Sequence, residues 1–242
     1  MNPAPFITIE GVDGAGKSSH MDAIVAVLEG AGYEVVATRE PGGTDVGQSL
    51  REQIKTVEMD QTTAALIAFA DRNEHLTRKI LPALAQGKAV ISDRFTDSTY
   101  AYQGGGDGCD WGVIQSLESL VQKGLQPHLT LFFDLDNEVA AARRARRAAE
   151  LPASQRDKFD EKPLEWFAGV RNAYHARVAD QPDRFILIDS SKTLEQVREQ
   201  VVAALEGFVA DFKANPGLWK HWGPSAEQLA QSSSKAGRGP KP

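Results

Sequence analysis

With a single cysteine, Cys109, the chain cannot build an intrachain disulfide framework, and its five histidines are too scattered to join that thiol at metal-ligand spacing. A reducing, cytoplasmic setting is expected. Positive charge is not in surplus: 27 Lys and Arg stand against 33 Asp and Glu, giving a net charge of -6 and a pI near 5.4. That balance argues against a general nucleic-acid binder, which needs a broad excess of cations, and confines any anion site to a local cluster. No run of about 18 apolar residues occurs, and no basic segment followed by an apolar stretch opens the sequence, so neither membrane insertion nor secretion is expected. Internal repeats are also missing. What is present is apolar content of 41 % over 242 residues, enough to fill the core of one large α/β domain.

Short apolar runs at Phe6 to Glu10, Glu34 to Thr38, Ala89 to Ser92, Leu129 to Asp134 and Phe185 to Ile188 read as strands. Helical periodicity lies between them: about Lys17 to Gly30, Asp45 to Thr56, Thr62 to Leu81, Trp111 to Lys123, Asn137 to Glu150, Leu164 to Asp180 and Thr193 to Asn215. Strict alternation predicts a central parallel sheet of about five strands with helices on both faces. Composition shifts after Lys213, and residues 223–242 read as disordered. Trp219, His221 and Trp222 leave two readings of that tail, docked on the domain or unstructured.

Gly11-Val12-Asp13-Gly14-Ala15-Gly16-Lys17-Ser18 satisfies G-x-x-x-x-G-K-[ST] after a strand and before a helix, the setting of a phosphate-binding P-loop. Backbone N-H groups from Gly11 to Ser19 converge on phosphate oxygens, Lys17 meets the β- and γ-phosphates of ATP, and the Ser18 hydroxyl suits Mg²⁺. The third strand delivers Asp93 and Arg94 to its carboxyl end, where open α/β sheets bind ligands. Asp93 suits the magnesium shell, with a helix cap as the plainer alternative. The motif alone does not separate kinases from GTPases or transport ATPases, although no Asn-Lys-x-Asp guanine signature is present.

Four segments, the first holding that loop, follow one another in a telling order: Phe6 to Ser18, Arg39-Glu-Pro-Gly-Gly-Thr44, Phe69-Ala-Asp-Arg72 with His75, and Asp93-Arg-Phe-Thr-Asp-Ser-Thr-Tyr-Ala-Tyr-Gln103. Over residues 5–212 the chain resembles the thymidylate kinases. The resemblance implies a P-loop NTPase fold with a small lid, transfer of phosphate from ATP to dTMP, and a homodimer. It further implies that Phe69 stacks on thymine, with Arg72 donating to a base carbonyl. Arg39 and Arg94 would hold the acceptor phosphate, and Ser98, Thr99 and Gln103 would contact the nucleotide. Tyr102 would crowd the sugar 2′ position, and Asp13 would face the 3′-hydroxyl. Without the resemblance, periodicity puts Phe69 in the core, while surface ion pairs are the plainer alternative for Arg39 and Arg94 and an Asp-Gly turn that for Asp13.

Arg143, Arg144, Arg146 and Arg147, with Arg156 beyond them, lie where the family places its lid, here about residues 143–161. In the bacterial type, lid arginines supply a cation that other members carry in the P-loop, where this chain has Gly14. Arg144, Arg147 and Arg156 are thus expected at the γ-phosphate and Arg143 near adenine, against the plainer reading of a solvated charged helix. Asp189 to Lys192 would border adenine, unless Ser191 simply caps a helix. Two positions depart from the family pattern: His128, where Asp is usual, and the Phe159-Asp160 pair. The alternatives are another P-loop kinase, acting on dCMP, UMP or a deoxynucleoside, or a nucleotide-dependent switch protein.

Overall fold

A computed structural model describes residues 4–150 and 158–236. Five strands, β1 (Phe6–Glu10), β2 (Val35–Arg39), β3 (Ala89–Asp93), β4 (Leu129–Asp134) and β5 (Phe185–Asp189), form one sheet in the order β2-β3-β1-β4-β5. Every pairing is parallel, with Ile7 opposite Ile91 on one side and Leu129 on the other. Central β1 is buried along its whole length, which explains why it reads as an unbroken apolar run rather than an alternating one. The outermost strands, β2 and β5, are only partly covered.

The ten helices among the described residues are α1 (Met21–Gly30), α2 (Asp45–Thr56), α3 (Gln61–His75), α4 (Leu81–Ala85), α5 (Thr96–Thr99), α6 (Trp111–Gln122), α7 (Asn137–Glu150), α8 (Leu164–Asp180), α9 (Leu194–Ala214) and α10 (Ala226–Ala236). Several begin where a side chain satisfies a free backbone N-H: Thr44 for α2, Asp60 for α3, Asp110 for α6, and a reciprocal Thr193/Gln196 box for α9. Ile24 and Leu28 of α1 and Val201 and Leu205 of α9 pack with Ile7, Ile9 and Leu131. On the opposite face Ile80 and Leu84 pack with Phe6, Val90 and Phe95. The sheet is thus covered on both faces, as the strand pattern predicts.

Two stretches are less regular than the periodicity suggests. The helix expected over Thr62 to Leu81 widens into a π-turn at Leu76–Ile80, and a second π-helical stretch, Tyr100–Gly106, follows α5. Its glycines let α8 approach: a β-carbon on Gly105 would lie 2.4 Å from the carbonyl oxygen of Gly169.

The tail differs from the expectation of disorder over Ala226–Ala236, which is helical and packs on α4. Contacts at Trp219 and Gly223 explain the difference. Trp219 lies edge-on to Phe208 at 5.0 Å and donates its indole N-H to Asp211 at 3.1 Å. Trp222 leads into Gly223, whose N-H donates to the Gln126 carbonyl at 2.6 Å. His128, the departure from the family pattern, sits beneath: it is buried and its Nδ1 accepts the Phe6 N-H at 2.9 Å.

Candidate active site

At the carboxyl ends of the strands a cleft of about 1120 Å³ gathers the loop after β1, the segment after β3 and the basic face of α7. The β1 loop is a cradle with tight neighbours. Gly11 has φ +141° and a β-carbon there would meet the Phe133 carbonyl oxygen at 2.5 Å. Gly14 has φ +90° and faces the Ala140 carbonyl oxygen, so a side chain there would push α7 away. Asp13, Gly14, Ala15, Gly16, Lys17, Ser18 and Ser19 all line the cleft. Gly11 and Val12 do not: the Val12 side chain belongs to the core, and the carbonyls of both accept from Lys17. Lys17 folds back to donate to the carbonyls of Gly11 (2.8 Å) and Val12 (3.3 Å). Burial, aided by Arg94, lowers the Lys17 ammonium from its ordinary value, while Asp93, Asp13 and Glu10 oppose that shift.

Arg94 occupies the middle of the cleft. Its NH2 donates to Asp13 Oδ1 and to the Tyr102 hydroxyl, both at 2.8 Å, and its guanidinium lies 4.7 Å from the Tyr102 ring centre. Tyr102 donates in turn to Asp13 Oδ2 at 3.0 Å. Burial alone would raise the Asp13 carboxyl, but Arg94, Lys17 and Tyr102 outweigh it and hold it well below the usual range. The carboxylate remains 39 % exposed to the cleft, so solvent moderates that pull.

The far wall is built from α3 and the loop after β2. Arg72 donates from Nε to Glu40 Oε2 at 2.9 Å and from NH2 to Thr99 Oγ1 at 3.0 Å, while its buried NH1 has no partner among the described residues. Glu40 also binds His75 Nδ1 at 2.7 Å, and His75 Nε2 meets Thr38 Oγ1 at 2.7 Å. Asp71 holds the loop itself through the Gly42 N-H at 3.1 Å. Arg39, Asp93, Ser98, Thr99 and Gln103 line the cleft. Phe69 is a correction. Its ring is 2 % exposed and packs with Ala65, Tyr100 and Ile114, one layer behind the wall, supporting the Arg72 guanidinium at 4.5 Å. Ala68 lines the cleft instead. Periodicity alone placed Phe69 in the core, and the helix geometry agrees with that.

The lid arginines divide. Arg144 donates to the Asp13 carbonyl at 3.0 Å and lies over the Phe167 ring. Arg143 bridges the carbonyls of Gly14 (3.4 Å) and Ser190 (3.2 Å), joining the phosphate loop to the segment after β5. Arg147 lines the cleft, as do Ser190 and Lys192, and Arg156 lies outside the described residues. Thr193, not Ser191, caps α9. Sequence reasoning missed Glu10, Glu40, Asp71 and Tyr174, whose roles depend on partners 29 to 164 residues away.

A sequence profile described as Thymidylate kinase matches residues 9–201. Among similar proteins, the thymidylate kinase of Methylobacillus flagellatus is 49 % identical over 205 residues, covering 85 % of this chain and 98 % of that one. The thymidylate kinase of Hahella chejuensis is 42 % identical, covering 87 % and 100 %, and that of Burkholderia thailandensis is 47 % identical, covering 85 % and 97 %. With the glycine-rich loop, the arginine-lined cleft and these relatives in agreement, the chain belongs to the thymidylate kinase family.

Proposed function

We propose that the protein transfers the γ-phosphoryl group of ATP to dTMP, giving ADP and dTDP. The observation that carries this reading is one continuous cleft lined by the Lys17 loop, Arg94 and Arg72, whose buried NH1 has no partner among the described residues. ATP phosphates rest on the backbone N-H groups of the loop, Arg94 and Arg39 hold the acceptor phosphate, and Arg72 meets a base carbonyl. Asp13 faces the sugar 3′-hydroxyl, and Tyr102 fills the space a 2′-hydroxyl would need. An acceptor phosphate oxygen attacks the γ-phosphorus in line, and the bond from phosphorus to the ADP oxygen breaks. With a second pKa near about 6, a phosphate monoester is largely deprotonated at neutral pH, so no general base is required. Rate enhancement comes from holding two anions together and cancelling charge on the transferred group, the part given to Arg144 and Arg147.

Ser18 and Asp93 fit a magnesium ion: Asp93 Oδ1 is buried with no hydrogen-bond partner among the described residues, as a carboxylate oxygen facing a hydrated cation would be. When bound, the ion neutralises phosphate charge. The enzyme acts in the cytoplasm as a homodimer, a reading supported by exposed Leu66 on α3 and Trp111, Val113 and Leu120 on neighbouring α6. A coupled ADP-release assay over dTMP, dUMP, dCMP and thymidine tests the substrate. Fastest turnover with dTMP is expected, and a faster rate with dCMP or thymidine refutes the assignment.

A further inference from the structure

Glu10 closes β1, directly before the phosphate loop, and is fully buried. Its carboxylate is the acceptor for three donors that come from two different elements. The Phe95 N-H reaches Oε1 at 2.7 Å, while the hydroxyls of Ser98 and Tyr174 reach Oε2 at 2.6 and 2.8 Å. All three surround Arg94. Phe95 follows it in the chain, and the same two hydroxyls accept from Arg94 NH1 at 3.1 and 3.2 Å. They also contact each other at 2.9 Å, so they form a closed relay between carboxylate and guanidinium.

Arg94 needs such support. Its φ of +72° lies in the left-handed region, which a side chain other than glycine adopts only where the surroundings over-determine it. Its N-H is fixed by the Ile9 carbonyl at 2.9 Å and its carbonyl by Ser92 Oγ at 2.7 Å. The conformation turns the side chain off the end of β3 and into the cleft. Burial and Asp97 push the Glu10 carboxyl upward, while Arg94 and the two hydroxyls pull it down; the net shift is upward. A buried carboxylate is a poor choice for stability, because an apolar side chain avoids the desolvation cost, so its presence asks for a role in geometry.

We infer that Glu10 is the positioning residue of Arg94: through the Phe95 N-H it fixes the backbone turn, and through Ser98 and Tyr174 it fixes the NH1 edge, leaving NH2 to face Asp13 and the cleft. Glu10 touches no substrate. Because it adjoins Gly11, it also sets the register between the donor cradle and the acceptor-phosphate group. This rests on the reading that Arg94 holds the phosphate of dTMP.

The test is steady-state kinetics on Glu10→Gln, Arg94→Ala and the double variant. Glutamine keeps the volume and one acceptor for Phe95, but turns an NH₂ group toward hydroxyls that already receive Arg94. The dTMP KM is expected to rise about tenfold, the loss expected of one charge-assisted hydrogen bond, with the ATP KM within about twofold. In the Arg94→Ala background Glu10→Gln then changes the dTMP KM by less than about twofold. An equal factor in both backgrounds, or an equal rise in the ATP KM, overturns the proposal. If Glu10→Gln does not fold, Tyr174→Phe removes one arm of the relay, and a dTMP KM rise that survives in the Arg94→Ala background overturns it as well. An unchanged dTMP KM in Arg94→Ala alone overturns the underlying assignment and the proposal with it, and is told apart because Glu10 is intact there.

Discussion

Gly223→Ala is expected to loosen the far end of the molecule without slowing catalysis. Gly223 has φ +80°, where alanine costs about 1 kcal/mol over glycine. The added methyl would lie 2.2 Å from Cε1 and 2.3 Å from Nε2 of His128. That ring cannot retreat freely, since Nδ1 holds the Phe6 N-H and Phe212 packs at its edge, 5.0 Å between ring centres. Overpacking of this kind costs about 1–3 kcal/mol, for a total of about 2–4 kcal/mol. The chain has a cheaper escape: the segment from Trp222 onward undocks, so the loss saturates at its docking energy, which truncation after His221 measures. At about 2–4 °C per kcal/mol for a chain of this size, Tm falls by about 4–16 °C, and by no more than in the truncated protein. Docking also sets a titration. Burial lowers His128 from its ordinary 6.5 to about 4, so its contribution is present above pH 6.5 and is lost as pH falls towards 4. Undocking exposes the ring, and its NMR titration midpoint moves back towards 6.5. Unchanged Tm together with an unchanged His128 titration refutes the reasoning, as does a large fall in kcat.

Asp97→Asn is expected to destabilise by about 3–5 kcal/mol in urea unfolding, because Arg177 (2.9 Å) and Arg184 (2.7 Å) both rely on that buried carboxylate; a loss under about 1 kcal/mol would show that solvent reaches them. Replacing Arg144, Arg147 and Arg156 together with alanine lowers kcat by orders of magnitude while dTMP binding by calorimetry stays near that of the parent, and unchanged turnover removes the lid from the mechanism. Leu120→Arg, at a side chain 70 % exposed, shifts the mass measured by light scattering from dimer to monomer; a persistent dimer places the interface elsewhere.

Much of this architecture is legible one segment at a time. Asp45–Thr56, Asn137–Glu150 and Leu164–Asp180 end where their periodicity ends, because each helix satisfies its burial from its own sequence spacing. The phosphate loop is legible for the same reason: glycines, lysine and serine act within eight residues. Tyr100–Gly106 is not, since its wide turn answers to α8, some sixty residues on. Phe69 shows the opposite error. Its spacing pointed inward, and the expected base contact overrode that sign, whereas the structure keeps the ring behind Arg72. For the tail, composition pointed to disorder and the tryptophans to docking; Trp219 on Phe208 and Gly223 on Gln126 decide for docking up to Ala236.

The site itself is a product of strand order rather than of any local motif. Because β1 lies between β3 and β4, Gly11 and Arg94 leave adjacent strands at the same edge, although about eighty residues separate them. Parallel neighbours deliver both at their carboxyl ends, so the loop after β1 and Arg94, proposed to hold donor and acceptor phosphates, face one cleft without any loop having to cross the sheet. The remaining task is to stop two clustered cations, Lys17 and Arg94, from repelling each other before substrate arrives. Asp13 stands between them as a shared counter-charge, and Tyr102 pins its second oxygen. Removing Asp13 would therefore do more than delete one contact: it would leave the cradle and the acceptor group in mutual repulsion. Its effect on the two substrates would be coupled, unlike the one-sided effect expected at Glu10.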